Sequence, residues 1–240
     1  MNRIFGLICV VSMMAVSFKQ GKKHNETSPV TQEMTMGNDD WISLMDASLW
    51  RGYNEDSLPG NWQFKDDIIE CYGTGGDIGG DIITKDTYDN FELSLEWKIT
   101  AGGNSGIFYH VVEDTVYKAP YETGAEYQLL DDDGFSEPIK EWQKSGANYA
   151  MHVADKDKKQ LKPVGEWNSS KIVFNKGEVE HWLNGEKIVT FNKFSEDWKE
   201  KRNSGKWNDF PDYGKANDGY LGLQDHGAGV WFRNVKVKRL

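Results

Sequence analysis

From residue 41 onward the chain alternates apolar and polar positions with a period of two. In "FELSLEWKI", Phe91, Leu93, Leu95, Trp97 and Ile99 share one face, and Glu92, Ser94, Glu96 and Lys98 share the other. Successive side chains of an extended backbone point to opposite sides, so this pattern predicts a half-buried strand. "SGIFYHVV" continues it, with Ile107, Tyr109 and Val111 inward and Phe108 and His110 outward. "EYQLL" puts Tyr127 and Leu129 inward, and Glu126 and Gln128 outward. "GYLGLQDH" puts Leu221 and Leu223 on one face, and Gln224 and His226 on the other.

The breaks between these runs are equally specific. Asn175-Lys176-Gly177 and Asn184-Gly185 predict two hairpins, because these residues tolerate positive φ. In the last strand Val230 and Phe232 have one parity and Val235 and Val237 the other, so a bulge is expected near Arg233-Asn234. His181 shares parity with Val179 and Leu183 and reads as a hydrogen-bonded core histidine, while Trp182 and Asn184 face the other way. Only 193–207 departs from the β pattern. It suits a short helix with Ser195 as N-cap and Gly205 after its end. Many strands, frequent turn signals and one helical excursion predict an all-β jelly-roll sandwich of two antiparallel sheets.

The first residues read differently. "MNRIFGLICVVSMMAVSF" has Arg3, then an apolar stretch from Ile4 to Val16 that is too short for a bilayer, then Ala15-Val16-Ser17. This is the form of an export signal over 1–17, cut after Ser17. Gly6-Leu7-Ile8-Cys9 is a poor lipoprotein box. Cleavage removes Cys9 and leaves Cys71 alone, without an intrachain disulfide partner. Residues 18–38 are polar and aperiodic, the composition of a disordered linker. The folded part, 39–240, has its first core signal near Trp41. The expected location is therefore periplasmic or at the cell surface, with no stable membrane insertion.

Composition narrows the partners. The net charge is −10, and the sequence pI is about 5.0. No basic stripe is present to neutralise phosphates, which argues against nucleic acid. Ten tryptophans in 240 residues supply aromatic planes beyond an ordinary core, and such planes match the apolar C–H face of a sugar. Asp131-Asp132-Asp133 reads as a solvated turn, with a metal loop as the alternative.

The polar outward positions carry the candidate chemistry. If one sheet curves, His110, Glu126, Gln128, Gln224 and His226 line a groove, with Glu96 and Asn104 nearby in pattern. Other chemistries lack their motifs. There is no G-x-S-x-G elbow and no H-E-x-x-H, and "YGTGGDIGGD" is glycine-rich without a helix after it.

Seven segments occur in family order: "GGNSGIFYH", "TGAEYQLLDD", "GANY", "KPVGEWNSSKIVF", "EVEHWLNGEKIV", "NSGKWNDFPDYGKANDG" and "GYLGLQDHGAGVWFRNVKVK". Together they resemble the 3-keto-disaccharide hydrolase domain over about residues 40–240. The resemblance implies a concanavalin A-like jelly roll acting on glycosides whose C3 hydroxyl has been oxidised to a ketone. That ketone acidifies the C2 proton, so a base removes it, the C1 substituent leaves, and water adds back. Glu126, His226 and His110 are the catalytic candidates; Glu96, Asn104, Gln128, Tyr149, Trp182 and Gln224 are the substrate-binding candidates. Tyr149, Trp182 and the 193–214 excursion are expected to form walls or a lid. A divalent metal ion is left open, with His110, His226 and Glu126 as its ligands. Many members have Arg where this chain has His110. Laminarinase-type glycosidases share the fold and use E-x-D-x-E on one strand. Here Glu126-Tyr127-Gln128-Leu129-Leu130 lacks the second carboxylate, which disfavours a two-carboxylate retaining mechanism on that strand. The alternative function is a carbohydrate-binding module without catalysis.

Overall fold

A computed structural model describes residues 40–73 and 80–240. The expected signal (1–17) and linker (18–38) lie outside the described residues. Thirteen strands and one α-helix follow in chain order: β1 (Ile42–Ser43), β2 (Trp50–Gly52), β3 (Trp62–Lys65), β4 (Ile68–Cys71), β5 (Ile82–Tyr88), β6 (Phe91–Ile99), β7 (Asn104–Val111), β8 (Ala125–Leu130), β9 (Asn168–Asn175), β10 (Glu178–Leu183), β11 (Glu186–Asn192), α1 (Glu196–Arg202), β12 (Gly219–Leu223) and β13 (Val230–Arg239).

Two antiparallel sheets result. The larger runs β11-β10-β9-β6-β13-β4-β3, with β1 also paired to β13. The smaller runs β2-β5-β12-β7-β8. Their inner faces meet in one apolar core that includes Leu93, Leu95 and Trp97 of β6, Ile107 and Tyr109 of β7, and Tyr127 and Leu129 of β8. The expected jelly-roll sandwich is the observed fold.

The local signals operate as their chemistry predicts. Asn184 and Gly185 turn β10 into β11 with φ of 49° and 90°, values that suit a two-residue hairpin loop. Asn234 adopts φ 52° at a register shift between β13 and β6, so Phe232 and Val235 both reach the core. The Ser195 hydroxyl accepts a hydrogen bond from the Trp198 amide at 3.1 Å and caps α1. Helix α1 ends at Arg202, and Gly205, after its end as expected, opens a 3-10 turn, Gly205–Asp209.

His181 is fully buried between the sheets. Its Nδ1 lies 3.0 Å from the Gly146 carbonyl oxygen, and its Nε2 lies 3.2 Å from the Tyr109 hydroxyl. A carbonyl only accepts, so Nδ1 carries the hydrogen and the Tyr109 hydroxyl donates to Nε2. Burial pushes this imidazole down to about 3. It stays neutral and pins the two sheets together.

Asp131 and Asp132 hold loops. The Asp131 carboxylate accepts the amides of Gly102 and Gly134 at 2.8 and 2.9 Å. Asp132 accepts the Ser145 amide at 2.8 Å and pairs with Lys159.

Candidate active site

The outer face of the five-stranded sheet carries the polar groups, and strand register decides which of them meet. Across one rung, Glu126 of β8 pairs with Phe108 of β7, which pairs with Gly222 of β12, which pairs with Ile83 of β5. On the next rung Gln128 pairs with Gly106, and the Gln224 amide donates to the Gly106 carbonyl at 3.0 Å. Continuing the Leu223–Ile82 pairing brings Asp81 opposite Gln224. Glu126, Gln128, Gln224 and Asp81 are only 4, 2, 7 and 7% exposed although they lie on an outer face. Burial on an outer face means that neighbouring segments rise around these four side chains, which therefore lie at the bottom of a recess.

Its walls come from two irregular segments. Tyr117 and Tyr121 of the 112–124 loop pack against a small apolar cluster of Tyr53, Ile83, Phe108 and Val111. The segment after α1 is fastened to that loop. The Tyr117 hydroxyl donates to Asp212 at 2.9 Å, and the Gly214 amide donates to the Thr123 carbonyl at 2.7 Å. Trp207 and Tyr213 stack 3.6 Å apart beneath it.

Glycine gives the recess its depth. A Cβ on Gly106 would stand 2.4 Å from Glu126 Oε1, so the carboxyl leans over bare backbone. Among the described residues no group donates a hydrogen bond to that carboxyl. Burial pushes it up to about 8; the positive charge of Lys206 opposes the rise and Asp81 adds to it. Burial pushes Asp81 up to about 7. The Asp225 amide, donating to Asp81 Oδ1 at 2.8 Å, lowers it, and the Asp225 charge raises it. Two carboxyls that titrate near neutrality in one recess can divide acid and base roles between them. Tyr149 joins through its amide, which donates to the Glu126 carbonyl at 3.0 Å. Its phenol is raised by burial and by the Glu126 charge. Gln128 Nε2 donates to Asn104 Oδ1 at 2.7 Å, and buried Gln224 Oε1 lacks a partner among the described residues.

The sequence candidates therefore divide. Glu126, Gln128, Asn104, Gln224 and Tyr149 come together. His226 falls in the turn after β12, half-buried, two residues beyond Gln224. His110 does not face outward. Its φ of 55° reverses the alternation of β7. The imidazole turns inward, 4.3 and 5.6 Å from the Phe174 and Phe91 ring centroids, and its Nε2 donates to the Asp89 carbonyl at 2.8 Å. Val111 takes the outward place instead. Glu96 and Trp182 lie on the outer face of the other sheet. Glu96 binds Arg233 Nε at 2.6 Å, and the Lys171 ammonium lies 4.3 Å from the Trp182 ring. Alternation tells which face of a strand a residue occupies, but not which sheet owns the strand.

Asp81 and Lys206 are functional candidates that pattern reading missed. Asp81 precedes its strand inside a glycine-rich stretch, and Lys206 sits in a 3-10 turn outside any period. The metal reading loses its ligand set, since His110 points away from Glu126. Among the described residues no three His, Cys, Asp or Glu side chains converge to hold an ion.

A two-sheet sandwich with buried carboxyls, amides and tyrosines gathered on one sheet has the groups that cleavage of a glycoside requires. Residues 40–238 match the 3-keto-alpha-glucoside-1,2-lyase-like domain, and the chain belongs to that family. It is 33% identical over 258 residues to a 3-keto-disaccharide hydrolase of Bacteroides thetaiotaomicron, covering 95% of this chain and 87% of the relative. It is 47% identical to the crystal structure of a candidate glycosyl hydrolase from Parabacteroides distasonis, with a TM-score of 0.78 over 84% of this chain and 94% of that one. The carbohydrate-binding module CBM66 of Bacillus subtilis shares the fold alone, at 12% identity and a TM-score of 0.50, over 79% of this chain and 95% of that one. Among the described residues no helix is long and apolar enough to cross a membrane.

Proposed function

We propose that this chain is an exported enzyme that cleaves 3-keto glycosides by elimination across C1–C2 and then hydrates the product. The carrying observation is that two carboxyls, Glu126 and Asp81, lie buried on one face of the five-stranded sheet, and that burial pushes both upward, to about 8 and about 7. We assign Asp81 as the base and Glu126 as the acid. Asp81 takes the C2 proton, and the C2–H electron pair becomes the C2=C3 bond of an enolate. As the C3 carbonyl re-forms, the C1=C2 bond forms and the C1–O bond breaks. Glu126 gives its proton to the departing oxygen. Water then adds to C1 with its proton passing to a carboxylate, and C2 is reprotonated. The first half is a lyase reaction, and both halves together are a hydrolysis. Export rests on the expected 1–17 leader, in which an apolar stretch follows Arg3.

The test is product analysis by mass spectrometry on a 3-keto glucoside and its unoxidised parent. The keto substrate alone is expected to be cleaved. Glu126→Gln should lose most activity on an alkyl 3-keto glucoside yet retain it on a p-nitrophenyl one, whose leaving group needs no proton. Asp81→Asn should fail on both. Full activity of Asp81→Asn, shown to be folded, would overturn the assignment.

A further inference from the structure

The elimination places negative charge on the C3 oxygen, and neither carboxyl can hold it. The cations near this face differ in their commitments. Arg51 is held by Glu113 through its two terminal guanidinium nitrogens, at 2.5 and 2.7 Å. Lys193 donates to the Ala216 carbonyl and lies over Phe174, on the His110 side of the sheet. Lys206 is different. Its ammonium stands 4.5 Å from the Tyr149 ring centroid, 4.8 Å from Trp207 and 4.9 Å from Tyr121. Rings attract a cation through their faces without neutralising it or accepting its N–H groups as a carboxylate would. Among the described residues no oxygen accepts a hydrogen bond from this ammonium. The residue is exposed, so a substrate can reach it. The backbone beneath it is fixed by Trp207, which is 1% exposed and stacked on Tyr213.

We propose that Lys206 receives the C3 ketone oxygen of the substrate and carries the enolate charge, so that it is both a catalytic residue and the group that selects a ketone over a hydroxyl. This rests on the elimination reading. No bond to the lysine forms. The C=O pair becomes an oxygen lone pair facing the ammonium, then returns to the carbonyl as the C1–O bond breaks. A preorganised donor aimed at developing charge is typically worth on the order of 10²-fold in rate. The charged and titratable groups around Glu126 are Lys206, Asp81, Tyr149 and Tyr213. Lys206 is the cation among them; its stem is exposed while three rings crowd and partly desolvate its ammonium, which lowers it, and the Glu126 charge raises it.

The experiment compares Lys206→Met and Lys206→Arg with wild type. Lys206→Met should lower kcat on the 3-keto glucoside about 10²-fold, with a much smaller change in KM, and Lys206→Arg should recover part of the loss. Without substrate, carboxyl ¹³C NMR should show the Glu126 midpoint moving upward in Lys206→Met. A wild type that cleaves nothing would overturn the elimination reading. A wild type that cleaves, with Lys206→Met equally fast, would overturn the role of Lys206 alone. An unmoved Glu126 midpoint would overturn it without any turnover data.

Discussion

Replacing Glu126 by Gln should make the protein more stable, by an amount that grows as pH rises from about 4.5 to about 8. Burial holds the native carboxyl at about 8 against an ordinary value of 4.5. Between those values the native state keeps a proton that the unfolded chain releases. The unfolded state thus binds fewer protons, and stability falls as pH rises through the window. At about 1.4 kcal/mol per pH unit, the loss reaches ~5 kcal/mol by pH 9. Glutamine mimics the protonated acid in shape and has no proton to lose. The variant and wild type should therefore melt together below about pH 4.5. By pH 9 the variant should melt higher by roughly 10–20 °C, since each kcal/mol moves Tm by about 2–4 °C in a chain of this size. Thermal melts at half-unit pH steps measure the gap directly. A gap that stays constant from pH 5 to 9 would refute the buried, unpaired carboxyl on which the acid role depends.

Other perturbations test neighbouring features. Gly106→Ala puts a methyl 2.4 Å from Glu126 Oε1 and must push the carboxyl aside. kcat/KM should fall by about 10²-fold while the melting temperature changes little; an unchanged rate would mean that the carboxyl position is irrelevant. His110→Gln should leave kcat intact and lower stability, because the ring packs on Phe91 and Phe174; a selective kcat loss would restore His110 to the site. Burial also holds His110 at about 4 against 6.5. Here the unfolded state binds the extra proton, so stability is lost as pH falls from 6.5 toward 4, by ~3 kcal/mol in total. His110→Gln should flatten that acid limb in urea titrations, and an equally steep limb would place the titrating group elsewhere.

Much of the architecture was readable from the chain because it is locally encoded. "FELSLEWKI" is a strand by alternation, Asn184-Gly185 is a hairpin by backbone preference, and His181 is core by parity with Val179 and Leu183. The site was readable where strands stay regular: Glu126 and Gln128 point where their alternation sends them. The failures share one physical cause. Membership of a sheet is a long-range property, so Glu96 and Trp182 looked equivalent to Gln128 although they ride on the other layer. Asp81 and Lys206 enter from irregular backbone, where no period exists to announce an orientation. His110 was misplaced because one positive φ inverts everything after it, and histidine carries no cue as strong as glycine for such a turn.

That inversion bears on how relatives should be compared. A residue's column in an alignment is an address along a thread, whereas its destination depends on how often the thread has been flipped before reaching it. An arginine found in place of His110 elsewhere in the family would be carried toward the hydrophobic interior wherever the same flip is kept, and into the recess wherever it is lost. Inserting or deleting one residue in β7 could thus move a cation between scaffold and chemistry without altering its neighbours in the text of the sequence.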